Sequence, residues 1–587
     1  VGEIRLGKIH LRWCDDCNVP VLEQSHCGIC AGKTREVKLT PPGDARPAFE
    51  HDIARIRQLV DHQFGRDTGL LVLPEGKIVL LNKVPDIDRM DEVIIDGQVA
   101  GAVRFDILRG DRFILKPYGA LAIAPKVQHS WVRIDLGAVE PIRKRGASTL
   151  AIGVLDCDPG IRPGMEILVL DAGGNPVSVG ISKMSSSEIM AHKRGTAVKT
   201  RWIVDAAPKV ENRKSANWDD VIAANREVIS RRVSEARKFI ARVVEEHRIP
   251  VAVSYSGGKD SLATLLLVLE SGIRPKLLFV DTGLEFDETR TNVSAVAERL
   301  NLELIVESAG DSFWRNVEHF GPPAKDFRWC CKTCKLGPAT RLIQKNFPGG
   351  VLSFIGQRAY ESEQRARKGN VWRNPWTPNQ LGASPIQKWT ALHVWIYLMS
   401  RGARPNRLYE QGLERIGCFM CPATDLAELR IVRELSSEYR RWQEFLDAYA
   451  LRTGKPPSWL EFDLWRWKRV PKSVIEEIGL TREPTPDTTE SDHAPLEFRS
   501  TSGYSPCVEG LSMEGIFSKH LPMDRVANML NIVGSVTTSP DGNIAEVKKM
   551  TVFAEGPVMI KAKDEQELRT KASQLREIVF RAVNCAG

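Results

Sequence analysis

Long apolar runs are what this sequence lacks: no stretch of about 18 consecutive apolar residues, the length needed to cross a bilayer, occurs in its 587 residues. A helical membrane protein is excluded, and no membrane partner is expected. The opening VGEIRLGKIHLRW has neither the apolar core nor the small-residue cleavage site of a secretion signal. The expected location is the cytoplasm, where thiols stay reduced and serve as metal ligands or redox groups rather than as disulfides. Charge of one sign is not in excess either: 82 Lys and Arg against 74 Asp and Glu leave a formal net charge of +8. That balance permits a nucleic acid partner without establishing one. Cysteine is scarce, 12 in all, so its clustering is informative.

A chain of this length exceeds what one core can organise, and about one domain per 150 residues gives roughly four. Residues 1–40 contain CDDCNVPVLEQSHCGIC, in which Cys14 and Cys17 form one C-x-x-C, Cys27 and Cys30 another, and nine residues lie between the pairs. Two such knuckles suit one tetrahedral Zn²⁺, and four thiolates leave no open position, so the zinc is expected to be structural. Residues 41–127 read as mixed α/β, with a helical run HDIARIRQLVDHQF and strand-like runs GLLVLP, KIVLLN and DEVIIDG, and show no chemistry. From 128 to 205, short apolar strands alternate with Gly, Pro and Asp turns, as in a small β-barrel. Residues 206–247 read as a linking helix whose Arg231, Arg232, Arg237, Lys238 and Arg242 lie largely off its apolar face.

The run IPVAVSYSGGKDSLATLLLVLES passes from a strand through a glycine turn into an apolar helix, an arrangement that offers backbone N–H groups to a phosphate. Gly257 and Gly258 allow close approach, Lys259 adds charge, and Ser254, Ser256 and Ser261 add hydroxyls. A second strand ends in Asp281, Thr282 and Gly283, and in an open parallel sheet both turns belong at the same edge. Further on come RWCCKTCK with Cys330, Cys331 and Cys334, then GQRAYESEQRAR with Gln357, Arg358, Glu361, Ser362 and Arg365, and finally CFMC with Cys418 and Cys421. Arginines in that third segment suit a phosphate or sulfate, or else pair with carboxylates on a helix surface. Asp260 is a candidate for metal or nucleotide positioning, or a cap for the following helix.

SGGKDS resembles the PP-loop of ATP pyrophosphatases, which bind ATP and form substrate adenylates. The ordered set SGGKDS, VDTGLEF, RWCCxxxK, GQRAxES and SPIxxWT, over residues 248–425, resembles the phosphoadenosine phosphosulfate reductase-like branch of that superfamily. Residues 128–205, through ALAIAP, GIRPGMEILVLD, VSVGISKMSSSEI and GTAVKTRW, resemble a PUA domain, which implies contact with structured RNA. Arg143, Lys144, Arg145, Lys193 and Arg194 would then offer phosphate contacts. The whole arrangement is similar to archaeal PUA-containing members of the reductase-like family.

The expected architecture is multidomain α/β: a doubly wound parallel-sheet PP-loop core with N-terminal zinc knuckles, a small PUA-like β-barrel and a C-terminal α+β domain. The resemblance implies a [4Fe–4S] cluster on four of the five thiols Cys330, Cys331, Cys334, Cys418 and Cys421. Spacing alone leaves zinc open, and Cys334 creates a second possible set. The fifth thiol, Cys330 or Cys334, would be a nucleophile, sulfur carrier or exchangeable ligand, its pKa lowered by Arg328, Lys332 and Lys335. Lys259, Asp260, Cys330, Cys334 and Arg358 are the catalytic candidates.

The intact loop implies ATP with Mg²⁺ and pyrophosphate as leaving group, and no C-terminal ECG-x-H segment of the sulfonucleotide reductases is present. Three readings stand: an adenylating sulfur-transfer enzyme acting on RNA, with tRNA foremost; a sulfonucleotide reductase; and a nucleotide-sensing RNA-binding protein. An electron or sulfur donor protein is the expected second partner. Residues 426–480 read as a helical extension, in which Trp465, Arg466, Trp467 and Lys468 are either core or a stacking surface for nucleic acid. A polar linker, 481–498, leads to an α+β domain, 499–587. Cys585 near its end resembles the first ligand of a ferredoxin run, the basis for expecting a ferredoxin-like continuation.

Overall fold

The computed structural model describes residues 6–192, 194–205, 214–367, 369–374, 377–480, 495–504 and 510–584. Lys193, Cys507 and Cys585 lie outside them.

The central unit is a six-stranded sheet in the order Leu304–Ser308, Lys276–Asp281, Val251–Ser254, Val351–Ile355, Thr377–Ala383, Val371–Asn374. The first five strands are parallel and the edge strand Val371–Asn374 is antiparallel. Its strands are apolar because helices bury both faces, as parallel crossovers require. Strand order reverses between Val251–Ser254 and Val351–Ile355, and a crevice opens at the carboxyl ends of such a pair. The SGGKDS turn leaves the first of these strands and GQRA leaves the second.

The N-terminal sheet Leu11–Cys14, Val19–Leu22, Arg35–Glu36 is not a separate body. Trp13, Val19, Val21 and Cys14 share one apolar core with Val253, Leu262, Phe354 and Trp389 of the central unit. Between them lie helices Trp218–Ala224 and Arg226–His247, the segment read as a linker. Asn225 joins them and ties the two units by accepting from Leu22 N–H and donating to Pro20 C=O. Arg231 and Arg232, read as part of a solvated helix face, instead engage Glu23 of the N-terminal sheet.

A five-stranded antiparallel sheet, Arg46–Pro47 to Gly110–Leu115, carries helices Glu50–Phe64, Thr68–Val72 and Pro117–Ile123. The run GLLVLP, read as a strand, forms the short helix Thr68–Val72. Thr68 Oγ1 donates to the Gly65 carbonyl at 2.6 Å, and Gly69 packs against the Arg57 backbone, where any Cβ would sit 2.2 Å from its carbonyl oxygen. A second six-stranded sheet follows, with strands Trp131–Ile134 to Thr196–Ile203 around their own apolar core.

Past the sheet, DLAELRIVRELSSEYRRWQEFLDAYA forms two helices rather than one, Leu426–Leu435 and Tyr439–Arg452, broken where Ser436 adopts an extended backbone. The C-terminal unit is an antiparallel sheet of six strands, Phe498–Tyr504 at one edge, covered by Met523–Leu530 and Glu565–Asn584. Its edge strand lies against the cysteine segment. Gly503 makes this possible, since a Cβ there would meet Leu336 Cδ2 at 2.6 Å.

Candidate active site and cysteine centre

Gly257 takes φ +75°, a conformation that favours glycine, and turns the chain from Ser254 into the helix Lys259–Glu270. Ser261 Oγ donates to the Gly258 carbonyl at 2.8 Å and lies 3.3 Å from Ser256 Oγ. The Lys259 N–H donates to the Tyr409 hydroxyl at 2.9 Å. These contacts fix an anion cradle at a helix N-terminus.

Behind the cradle runs an alternating chain of charges. Lys259 Nζ meets Asp260 Oδ2 at 2.9 Å, and Arg358 Nε donates to Asp260 Oδ1 at 2.8 Å. Arg358 Nη1 then reaches both oxygens of Asp44 at 2.8 and 2.9 Å, and Asp44 also accepts from Ala391 N–H at 2.6 Å. Burial opposes each charge, but the pairing wins: Asp260 is held below the usual carboxylate range by Arg358 and Lys259, while Lys259 and Arg358 are raised. Arg358, expected on the substrate side, is buried with its guanidinium held by two carboxylates. Glu361 accepts from Arg358 N–H at 2.9 Å and pairs with Arg365, whose own N–H donates to Ser362 Oγ at 3.2 Å. Gln357 Nε2 is buried with no hydrogen-bond partner. No motif marks Asp44 or Tyr409: PPGDARP and RLYE carry no spacing signal, and the roles of these two residues arise from contacts across the fold.

At the neighbouring strand end, Asp281 accepts from Gly283 N–H at 2.9 Å and pairs with Arg290 at 3.3 Å. Thr282 Oγ1 donates to Glu285 at 2.8 Å and lies 3.5 Å from Cys418 Sγ. The nucleotide-side turn and the cysteines therefore share one wall.

Cys331–Leu336 forms a π-helical turn, a geometry frequent at functional sites. The Cys331 thiol is lowered to about 5, first by its hydrogen bond from Cys330 and then by Arg328 and Lys335. Cys418 is raised by burial, with Glu285, Cys421 and Cys331 adding to it, and Cys330 in turn feels Cys418. Arg328 Nη1 lies 3.9 Å from Cys421 Sγ. Cys330 and Cys331 thus share a hydrogen bond, and Cys418 lies within electrostatic reach of Cys331 and Cys421. Cys334 is buried in the apolar core with Phe313, Trp329 and Phe320; burial raises its thiol and Cys331 adds to the rise. Lys332, expected to act on the thiols, forms a buried ion pair with Glu514 of the C-terminal unit, donates to Ser512 C=O at 2.9 Å, and also feels Cys331 and Cys330.

The N-terminal thiols Cys14, Cys17, Cys27 and Cys30 lie within 4.8 Å of one another. Cys17, Ile29 and Gly32 donate N–H groups to the sulfurs of Cys14, Cys27 and Cys30 at 3.4 to 3.5 Å, the bonds a thiolate accepts in a metal knuckle. Burial pushes Cys14 up to about 12, so without a cation four charged thiolates would be costly there. The site fits a metal ion. Among the described residues, no three of the core cysteines are drawn so close.

Trp465 and Arg466 are fully buried and Trp467 nearly so. They are core, because Trp465 packs edge-on against Trp442 and its indole N–H donates to Asp463 at 2.9 Å. No nucleic acid can stack there. Arg143, Lys144, Arg145 and Arg194 are exposed on the small sheet domain. No helix among the described residues is long and apolar enough to cross a membrane.

Residues 250–424 match the phosphoadenosine phosphosulfate reductase domain and residues 130–204 match the PUA domain. Fold and site thus define a reductase-type nucleotide domain joined to a PUA module. The chain belongs to the archaeal phosphoadenosine phosphosulfate reductase-like family. It is 39% identical over 472 residues to the uncharacterized protein MJ0066 of Methanocaldococcus jannaschii, covering 79% of this chain and 97% of that protein. It is 28% identical over 209 residues to an adenosine 5'-phosphosulfate reductase of Geobacillus kaustophilus, covering 33% of this chain and 83% of that enzyme. Among solved structures it is similar to phosphoadenylyl-sulfate reductase from Candida auris, at 17% identity and a TM-score of 0.26, over 33% of this chain and 95% of that one.

Proposed function

We propose that this protein is an ATP-dependent adenylating enzyme that exchanges oxygen for sulfur on an RNA base, with tRNA as the substrate class. The observation that carries the reading is the 3.5 Å approach of Thr282 Oγ1 to Cys418 Sγ, which sets a thiol centre beside a complete SGGKDS cradle. In the first step, a base carbonyl oxygen attacks the α-phosphorus of ATP and the bond to pyrophosphate breaks. In the second, a hydrosulfide ion delivered by a donor protein adds to the activated carbon, AMP leaves with the oxygen, and the base is left as a thiocarbonyl with the proton on its ring nitrogen. The cradle N–H groups, Lys259 and the hydroxyls of Ser256 and Ser261 hold the phosphates, Mg²⁺ accompanying the ATP. Asp260 and Arg358 keep Lys259 aimed rather than touching substrate. Glu361, Ser362 and Arg365 line the approach to the base, with Gln357 Nε2 as an unpaired donor.

Cys330, Cys331, Cys418 and Cys421 would hold a [4Fe–4S] cluster. The adjacent pair Cys330 and Cys331 with the C-x-x-C of Cys418 and Cys421 supplies the four thiolates such a cluster takes. Bound there, the cluster would supply a Lewis-acidic or redox centre for the sulfur step. The N-terminal thiols take Zn²⁺, and the PUA module delivers structured RNA. The likeness to an adenosine 5'-phosphosulfate reductase favours a second reading, reduction of a sulfonucleotide to sulfite with electrons from a donor protein.

Pyrophosphate release from ATP by anaerobically purified protein, with and without small RNA from the source organism, separates the two. Release stimulated by RNA supports adenylation. No release in either condition with the iron intact overturns it, and sulfite formation from adenylyl sulfate would replace it.

A further inference from the structure

We infer that Arg466, in the helical extension outside the matched reductase domain, is a positioning residue for the thiol centre: it holds the loop that carries Cys421 and sets positive charge against the thiolates. The inference rests on the proposed cluster at Cys330, Cys331, Cys418 and Cys421.

Arg466 is fully buried, so every N–H must find a partner inside the protein. Nε donates to the Pro422 carbonyl at 3.2 Å and Nη2 to that of Thr424. Both belong to the loop leaving Cys421, so the guanidinium clamps that loop from behind. Nη1 has no hydrogen-bond partner. The nearest carboxylate, Asp88 Oδ2, stands 3.8 Å away, and its two oxygens already accept from Leu426 N–H at 2.9 Å and Ala427 N–H at 3.1 Å, capping the next helix. Asp463 is likewise engaged, by Arg433 at 2.6 and 2.7 Å and by Trp465.

Two more cations stand beside it. Lys325 donates its N–H to the Arg466 carbonyl at 2.6 Å, with its ammonium 4.8 Å from the Trp467 ring centre, and Arg328 reaches Cys421 Sγ at 3.9 Å. The carboxylates of Asp88, Asp425 and Asp463 answer part of this positive charge, and Cys421 is a further negative partner of Arg466 when ionised. Four thiolates around a cluster carry a net negative charge, and Cys421 is the thiol this group faces. Outer partners of this kind orient a ligand and tune its metal.

The test compares wild type, Arg466→Gln, Arg466→Lys and Arg452→Gln, all full-length and purified without oxygen. The readouts are iron and sulfide per chain, the chelator concentration that removes half the iron, and the midpoint potential from a redox titration followed by electron paramagnetic resonance. Arg452→Gln changes the same extension at an exposed ion pair with Glu318, away from the cysteines, and should match wild type. Arg466→Gln should lower cluster affinity by about 10-fold or more. Any cluster it keeps should have a lower potential, because removing positive charge disfavours the reduced state. Arg466→Lys should restore the potential while recovering only part of the chelator resistance, since an ammonium cannot span both carbonyls. If Arg466→Gln and Arg466→Lys fold and match wild type in both readouts, the inference is overturned and the cluster stands. If wild type holds neither iron nor sulfide at these cysteines, both fall.

Discussion

Asp44 closes its carboxylate on Arg358 across 314 residues, at 2.8 and 2.9 Å, and so links the segment after the metal knuckles to the phosphate cradle. Asp44→Ala removes one of the two carboxylates holding a buried guanidinium and should cost about 3–5 kcal/mol of stability. Asp44→Asn keeps the shape and one acceptor. It should preserve the fold while raising the KM for ATP in pyrophosphate release, because Arg358 then pulls Asp260 away from Lys259. Unchanged ATP kinetics in the folded Asn variant would remove Asp44 from the nucleotide site.

Lys332 and Glu514 form the same kind of bond between the cysteine turn and the C-terminal sheet, and both are buried. Lys332→Met should destabilise by about 3–5 kcal/mol by leaving Glu514 charged without a partner. The double variant Lys332→Met with Glu514→Leu should recover most of that loss, since neither charge remains. Denaturant unfolding of the four members of this cycle measures the coupling. A double variant no better than the single one would show that the pair acts through shape rather than charge.

The N-terminal knuckles pack Trp13 and Cys14 into the same core as the catalytic sheet. Removing their metal should therefore destabilise the nucleotide domain as well as the knuckles. Cys17→Ser should lower bound zinc and bring down the cooperative unfolding midpoint of the whole unit. Two separate transitions, with the later one at the wild-type temperature, would mean that the knuckles fold independently.

Acid should loosen the same junction. Burial lowers His10 to about 4, with Glu23 partly opposing and His393, Arg232 and Lys8 adding to the drop. The folded state binds its proton less readily than the unfolded chain, whose His titrates near about 6.5. Stability from this group is complete above that value and is lost as pH falls toward 4. His10→Gln should flatten the fall in unfolding midpoint over that window. Taking the difference between the two titrations cancels the acid sensitivity of the four N-terminal thiols. Parallel curves would show that His10 does not contribute.

Much of the core was legible because its signals are local. A strand, a glycine turn and an apolar helix stand together in VAVSYSGGKDSLATLLL, and the C-x-x-C pairs carry their own spacing. What was hidden depends on contacts between distant segments. Arg231 and Arg232 look like a solvated helix face until Glu23 is placed beside them. Lys332 looks like a cation for its neighbouring thiols until Glu514 claims it. The two tryptophans flanking Arg466 read as core more readily than as a nucleic acid platform, but composition alone does not say which face is inside. GLLVLP is apolar enough for either strand or helix, and Gly69 against the Arg57 backbone decides it.

The PUA module's basic helix gives the remaining prediction. Leu136–Arg145 ends in Arg143, Lys144 and Arg145, all exposed, where cations also complement the helix C-terminus. Lys144 is partly spent on Glu140 at 2.5 Å, which leaves the two arginines as the stronger partners for phosphate. Arg143→Ala with Arg145→Ala should weaken binding of small structured RNA. It should also reduce the slope of log affinity against log salt by about 0.9 for each phosphate that is no longer neutralised. Release of pyrophosphate without RNA should be unaffected, because neither residue touches the cradle. RNA binding with unchanged affinity and slope would place the RNA on another face, and Arg194 on the same domain would be substituted next.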